Sequence, residues 1–250
     1  MPISQRLKKL VKSLHQKAFR DQNGLFLAEG DKLSQELIKS DFHVELIVIK
    51  ESPTAEVLEI VDHFGDSGIP VYSAPKHQFD QLTDTKTPQT IVCIVNIKVR
   101  ELIPDLPFIA LDGISDPGNL GTIIRTADWF GYKQVILGRD CADMYNPKTV
   151  RATMGSIFRV NVIYAPELPE YIGVNFKGYK LFAADVNSIN PIDKIKVPAK
   201  YGIVFGSESH GISESVKKMA DKDFKITGMG SAESLNVAVS AGICMHSFTK

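Results

Sequence analysis

At three widely separated places in this chain of 250 residues, a glycine-rich turn opens onto a helical pattern. The first turn is Asp112-Gly113-Ile114-Ser115-Asp116-Pro117-Gly118-Asn119, which follows the apolar run 108–111. The second, Gly206-Ser207-Glu208-Ser209-His210-Gly211, follows the apolar run 203–205. In the third, Gly228 and Gly230 precede Ser234-Leu235-Asn236 and a stretch of small residues, Ala238, Ser240, Ala241 and Gly242. Strand, glycine turn and helix in succession is the building unit of an open α/β sheet, in which ligands bind beyond the carboxyl ends of the strands. A helix start also carries backbone N–H groups without intrahelical partners, and Ser234 suits the N-cap that would satisfy one of them. Asn119, Arg125, Glu208, Ser234 and Asn236 therefore read as one site assembled from distant pieces.

The rest of the chain fits the same architecture. Strand-like runs are expected at 25–30, 46–49, 71–73 and 89–95, with helices over 31–40 and 56–64, giving a small α/β unit. Residues 3–19 place Ile3, Leu7, Leu10, Val11, Leu14 and Ala18 at helical spacing, and six basic residues up to Arg20 precede the first acid, Asp21. Such a helix carries a basic face that is either simply solvated or in contact with RNA. The segment 99–106, with Pro104 among charges, reads as a linker, dividing the chain into domains 1–98 and 107–250. Beyond it, strands are expected at 108–111, 134–137, 159–162, 180–183, 203–205 and 224–226. Helices are expected at 120–130, 148–154, 167–173, 213–219 and 235–247.

The bulk numbers exclude more than they assign. With 44% hydrophobic and 23% charged residues the chain can bury a sizeable core, and its formal net charge of zero argues against gripping nucleic acid over the whole surface. Cys93, Cys141 and Cys244 are far apart and read as reduced thiols, and no apolar run approaches membrane-spanning length; a soluble, cytoplasmic protein is expected. There is no phosphate-binding Gly-x-x-x-x-Gly-Lys-Ser/Thr loop, no complete Gly-x-Gly-x-x-Gly, and no spacing that would ligate a metal. Ser207 and Ser209 lack the flanking glycines of a hydrolase nucleophile elbow.

Taken together, the three turns resemble the motifs of the SpoU/TrmH RNA 2'-O-ribose methyltransferases of the SPOUT superfamily. The first motif of that family, Asn-x-Gly-x-x-x-Arg, is met by residues 119–125; the second, Gly-x-Glu-x-x-Gly, by 206–211; the third, ending Ser-Leu-Asn-Val-Ala-Val, by 234–239. The resemblance covers roughly residues 106–248. It departs from the pattern where the third motif commonly opens Ile-Pro-Met-x-Gly, since this chain has Ile226-Thr227-Gly228-Met229-Gly230.

The resemblance implies a C-terminal α/β domain tied in a deep trefoil knot, behind a smaller N-terminal α/β RNA-binding domain. Connection rules alone would favour an unknotted sheet. It implies S-adenosylmethionine as cofactor, contacted at Gly206, Ile226 and Leu235, and no metal. It implies that Arg125 engages an RNA phosphate and helps activate the ribose hydroxyl, with Asn119, Glu208, Ser234 and Asn236 around the reacting groups. Ribosomal RNA is expected as substrate ahead of transfer RNA, and a homodimer through the C-terminal domain is expected as the assembly. Two alternatives are a non-catalytic RNA-binding member of the same fold and an α/β enzyme acting on a nucleotide-like small molecule.

Overall fold

The computed structural model describes residues 1–85 and 88–249. By its internal contacts the chain divides into two compact units, Met1–Val99 with Tyr145–Phe158, and Arg100–Met144 with Arg159–Lys250. The reading from sequence drew one boundary, at 99–106; in the structure the helix Pro147–Thr153 packs with the first unit.

In the first unit, β1 (Leu25–Glu29), β2 (Val44–Lys50), β3 (Val71–Ala74) and β4 (Ile91–Asn96) form a sheet in the order β1-β4-β2-β3. β4 runs antiparallel to β1 and β2, while β2 and β3 are parallel. Every residue of β1 is buried, as expected for a strand covered on both faces. The helix Ala55–Asp66 starts at Thr54, whose side chain accepts from the backbone N–H of Val57. From the helix Pro147–Thr153, Arg151 donates to buried Glu29 at 3.1 Å. Burial raises the Glu29 carboxyl above its ordinary range, and the Arg151 charge opposes that rise.

The single helix expected over 3–19 is two, Gln5–Ser13 and Lys17–Asn23. The cause lies in Arg20, which is 2% exposed and donates to the Leu14 carbonyl at 2.8 Å across the break. A buried guanidinium needs such acceptors, and the carbonyls freed where the first helix ends supply one. Arg20 is thus an internal brace and not part of the solvated basic face.

The second unit is built on a six-stranded parallel sheet of β5 (Phe108–Asp112), β6 (Gln134–Leu137), β7 (Asn161–Tyr164), β8 (Lys180–Ala184), β9 (Tyr201–Gly206) and β10 (Lys222–Phe224). Their order is β10-β8-β9-β5-β6-β7. Two expected strands are displaced toward these bounds, from 159–162 and from 224–226. Alternation along β5 feeds two cores. Ile109 and Leu111 join Leu120, Ile124, Ala241 and Met245 beneath the helices Pro117–Trp129 and Val237–Phe248. Phe108 and Ala110 join Leu168, Ile172 and Val216 beneath the helices Leu168–Asn175 and Glu214–Lys217 on the other face.

Successive strands β5, β6 and β7 build outward in one direction, and the chain then returns to build β8, β9 and β10 on the other side of β5. The order reverses between β5 and β9. This is the switch point at which loops from adjacent strands diverge and leave a crevice. The first two glycine turns leave from those two strands.

Cys93 and Cys244 are fully buried, and burial pushes both thiols up to about 12; half-buried Cys141 is raised by the same cause. All three are therefore protonated and poorly nucleophilic at neutral pH. Native protein at pH 7.5 is expected to react with Ellman's reagent slowly and at Cys141 alone, with all three thiols reacting after denaturation. Rapid reaction of two thiols in the native protein would contradict this packing.

Candidate active site

The loops after β5 and β9 are stitched together at the switch point. The Asp112 carboxylate, at the end of β5, accepts the backbone N–H of Ser213 at 2.7 Å. Gly206 ends β9 and the chain doubles back at once, with paired backbone bonds between Ser207 and Gly211 of 2.9 and 3.0 Å. This hairpin lies directly on Gly206: a Cβ there would come 2.1 Å from the Gly211 carbonyl carbon and 2.2 Å from the Ile212 nitrogen. Gly211 turns the chain with φ +68, a conformation glycine adopts without strain. No side chain fits at Gly206, and its backbone is left as its only functional surface.

The helix Pro117–Trp129 begins with Asp116 as N-cap, accepting from the Asn119 N–H at 2.8 Å, and with Pro117 in the first turn. Asn119 is therefore inside the first turn with its side chain free for other work. The helix Val237–Phe248 begins with Asn236, whose Oδ1 accepts from the N–H groups of Ala238 and Val239 at 2.9 and 3.3 Å. That corrects the expectation that Ser234 caps this helix: the helix starts two residues further on, and Asn236 takes the role.

From this cap a hydrogen-bonded chain runs through all three motifs. Because Asn236 Oδ1 faces the helix N–H groups, its Nδ2 points away and donates to Asn119 Oδ1 at 3.0 Å. Asn119 Nδ2 is then aimed at Glu208 Oε1, to which it donates at 2.6 Å. Each amide can take only one orientation, since reversing either would oppose donor to donor or acceptor to acceptor. Residues 117 positions and 89 positions apart in sequence are thereby joined. Replacing Asn236 with alanine is expected to destabilise the unit by about 1 kcal/mol through the lost cap. It should also free Asn119 to reorient; unchanged stability in urea melts would contradict the capping role.

The other candidate residues lie outside this chain of contacts. Arg125 is exposed, and its guanidinium has neither hydrogen bond nor ion pair among the described residues. Six residues along a helix advance about 9 Å and rotate about 240°, so Arg125 faces a different direction from Asn119. Ser234 is exposed, and Leu235 is 48% exposed. Ile226 is half-buried against the core under the helix Val237–Phe248, and the stretch 227–236 that follows is exposed throughout.

A cleft of about 760 Å³ opens beside the Asn119–Glu208 contact, between the loops that follow β5, β6, β7 and β9. Its wall carries Asp112, Asp116, Asp140, Glu167 and Glu208 against Arg139, which is ion-paired with Glu167. Such a wall favours cationic groups over phosphate. Asp112 and Asp116 were not singled out from the sequence. Asp-Pro at a helix start is a legible N-cap signal for the second, whereas the Asp112–Ser213 tie spans 101 positions and leaves no local trace.

Residues 107–246 match the model of the SpoU rRNA Methylase family, and residues 5–93 match the MRM3-like substrate binding domain. The chain belongs to the SpoU rRNA methylase family. A Bacillus subtilis relative named 23S rRNA (guanosine(2553)-2'-O)-methyltransferase RlmP is 32% identical over 94% of this chain and 92% of its own length. The mitochondrial rRNA methyltransferase 3 of Xenopus laevis is 30% identical over 82% of this chain and 51% of its own. Among solved structures, the AdoMet-bound rRNA methyltransferase from Sinorhizobium meliloti superposes with a TM-score of 0.87 at 27% identity, covering 99% of this chain and 95% of that one. As a SpoU-family member the protein is an RNA 2'-O-methyltransferase with the SPOUT fold, and its cofactor is S-adenosylmethionine. No helix among the described residues is long and apolar enough to cross a membrane. No group of His, Cys, Asp or Glu among them could hold a metal ion.

Proposed function

We propose that this protein methylates a ribose 2'-hydroxyl of 23S ribosomal RNA, at the meeting point of its three glycine-turn motifs. The observation that carries this reading is the Asn236–Asn119–Glu208 chain, which fixes the orientation of two amides, Asn119 at the rim of an acidic cleft and Asn236 beside it. S-adenosylmethionine supplies a methyl group already activated by its cationic sulfonium. The residues present suit it: the acidic wall of the neighbouring cleft favours a cation, and Gly206, whose Cβ direction is filled by the backbone of residues 211 and 212, has only backbone groups to offer a ligand. Gly206, Ile226 and Leu235 would hold the cofactor, the last two flanking the exposed stretch 227–234 with apolar surface.

The chain's own residues then have to bind the acceptor ribose, orient it and assist loss of its proton. Arg125 takes the RNA phosphate beside that ribose; a guanidinium with no partner among the described residues has its whole planar fork available. Asn119, Ser234 and Asn236 hold the sugar, and Glu208 fixes Asn119. Positioning of this kind can lower the barrier by about 7–11 kcal/mol. Residues 1–98 serve as the RNA-binding domain, joined through 99–106 to the catalytic part, and a cytoplasmic location accords with a ribosomal substrate.

The same reading includes a homodimer. The helices Pro117–Trp129 and Val237–Phe248 leave Trp129 85%, Val239 53% and Ile243 37% exposed beside a groove of about 550 Å³ that Asn119 and Asn236 also line. A second copy covering this face would enclose the amide pair. Ile243→Asp is expected to halve the mass seen by sedimentation equilibrium; a monomeric wild type would contradict the assembly. For the activity, labelled methyl transfer from S-adenosylmethionine to 23S, 16S and transfer RNA transcripts, with mapping of the product, is the test. A 2'-O-methyl group in the 23S transcript is expected, and label on a base or in transfer RNA alone would overturn the proposal.

A further inference from the structure

Resting on the RNA reading above, we infer that the outer face of the N-terminal helix Gln5–Ser13, with the adjoining helix Lys76–Phe79, is the surface on which the first unit grips RNA phosphates. Helical geometry divides the first of these helices cleanly. Leu7, Leu10 and Val11 pack into the core of the first unit, Lys9 and Lys12 are exposed on the opposite side, and half-buried Lys8 lies at the edge between them. Arg6 flanks them and is exposed.

What those lysines touch is the informative part. Lys8 donates to Gln78 Oε1, and Lys12 donates to Gln81 Oε1 at 3.3 Å. Both partners are neutral amides. They hold the ammonium groups in place and cancel none of their charge, whereas a carboxylate would do both. Of the acids nearby in sequence, Asp80 pairs with Lys50 at 2.8 Å, and the Asp84 carboxylate lies against His15 Nδ1 at 2.6 Å rather than against any of these lysines. Arg6, Lys9 and Lys76 have no ion-pair partner among the described residues. The result is a group of positive charges without acidic partners among the described residues, two of them held in place by neutral amides, on a chain whose net charge is zero. Such a group suits the phosphates of a polynucleotide, and its contribution falls with salt as counterions are released.

Two double variants of the full chain test this, with binding to a 23S rRNA transcript measured across a salt series. Lys9→Ala with Lys12→Ala is expected to weaken binding and to flatten the slope of log K against log salt by about 1.4–1.8, from about 0.7–0.9 per phosphate contact. Gln78→Glu with Gln81→Glu keeps every lysine and offers each a stronger partner. It is expected to leave the melting temperature unchanged or raised, and to weaken RNA binding at low salt at least several-fold. A merely structural role for these contacts would leave the RNA affinity of the second variant intact at the same unchanged or raised melting temperature. Wild-type affinity and slope in both variants would overturn the inference while leaving the substrate reading standing. A wild-type protein with no salt-sensitive affinity for the transcript would overturn both. S-adenosylmethionine affinity, measured by calorimetry in each variant, is expected to be unchanged.

Discussion

Arg125→Ala is expected to lower single-turnover methyl transfer by about 10²–10⁴-fold, the range associated with loss of a group that assists proton removal in the transition state. S-adenosylmethionine affinity should stay within about twofold, because Arg125 is exposed and is not among the residues that would hold the cofactor. The guanidinium has no hydrogen-bond or ion-pair partner among the described residues, so its removal should cost little stability. The lysine variant sharpens the result. Lysine keeps the charge and loses the planar fork, so Arg125→Lys should recover part of the RNA affinity and little of the rate. Equal loss of cofactor binding and of transfer, seen by calorimetry beside the rate, would contradict the assignment of Arg125 to the acceptor side.

Gly206→Ala is expected to raise the dissociation constant for S-adenosylmethionine more than tenfold, equivalent to about 1.4 kcal/mol, and to destabilise the protein by about 1–3 kcal/mol through overpacking. The atoms that a methyl group would strike are backbone atoms of residues 211 and 212, which have no rotamer to move aside. The 207–211 hairpin must then lift, taking Glu208 with it and releasing Asn119. A matched Gly65→Ala variant is the control, because nothing lies within 4 Å of a Cβ at that position and it belongs to the first unit. Wild-type cofactor affinity in Gly206→Ala, with stability preserved, would show that the close packing at β9 has no bearing on the site.

Much of this molecule is legible in local sequence because its elements are locally consistent. The apolar runs that became β5, β6, β8 and β9 are bounded by glycine or charge, and each glycine turn sits where a strand meets a helix. Asn119, Glu208 and Asn236 could be named from their motifs, and the structure joins them by hydrogen bonds. What could not be read is of two kinds. One is choice among near-equivalent residues: Ser234 and Asn236 are both good N-caps, so propensity could not say where the last helix begins. The other is nonlocal. Arg20 looks like one more surface cation until Leu14 is seen beside it, and the grouping of Tyr145–Phe158 with the first unit depends on partners such as Glu29. The placement of β5 between β9 and β6, which creates the cleft, is likewise fixed by pairings between strands far apart in the chain.

The most direct examination of the central claim is a crystal structure of the protein with S-adenosylhomocysteine. The sulfur should lie on the side of the sheet where Asn119 and Asn236 meet, with adenine against the backbone of Gly206 and Ile226. A sulfur found remote from that amide pair, with the Asn236–Asn119–Glu208 chain left facing solvent, would contradict the account.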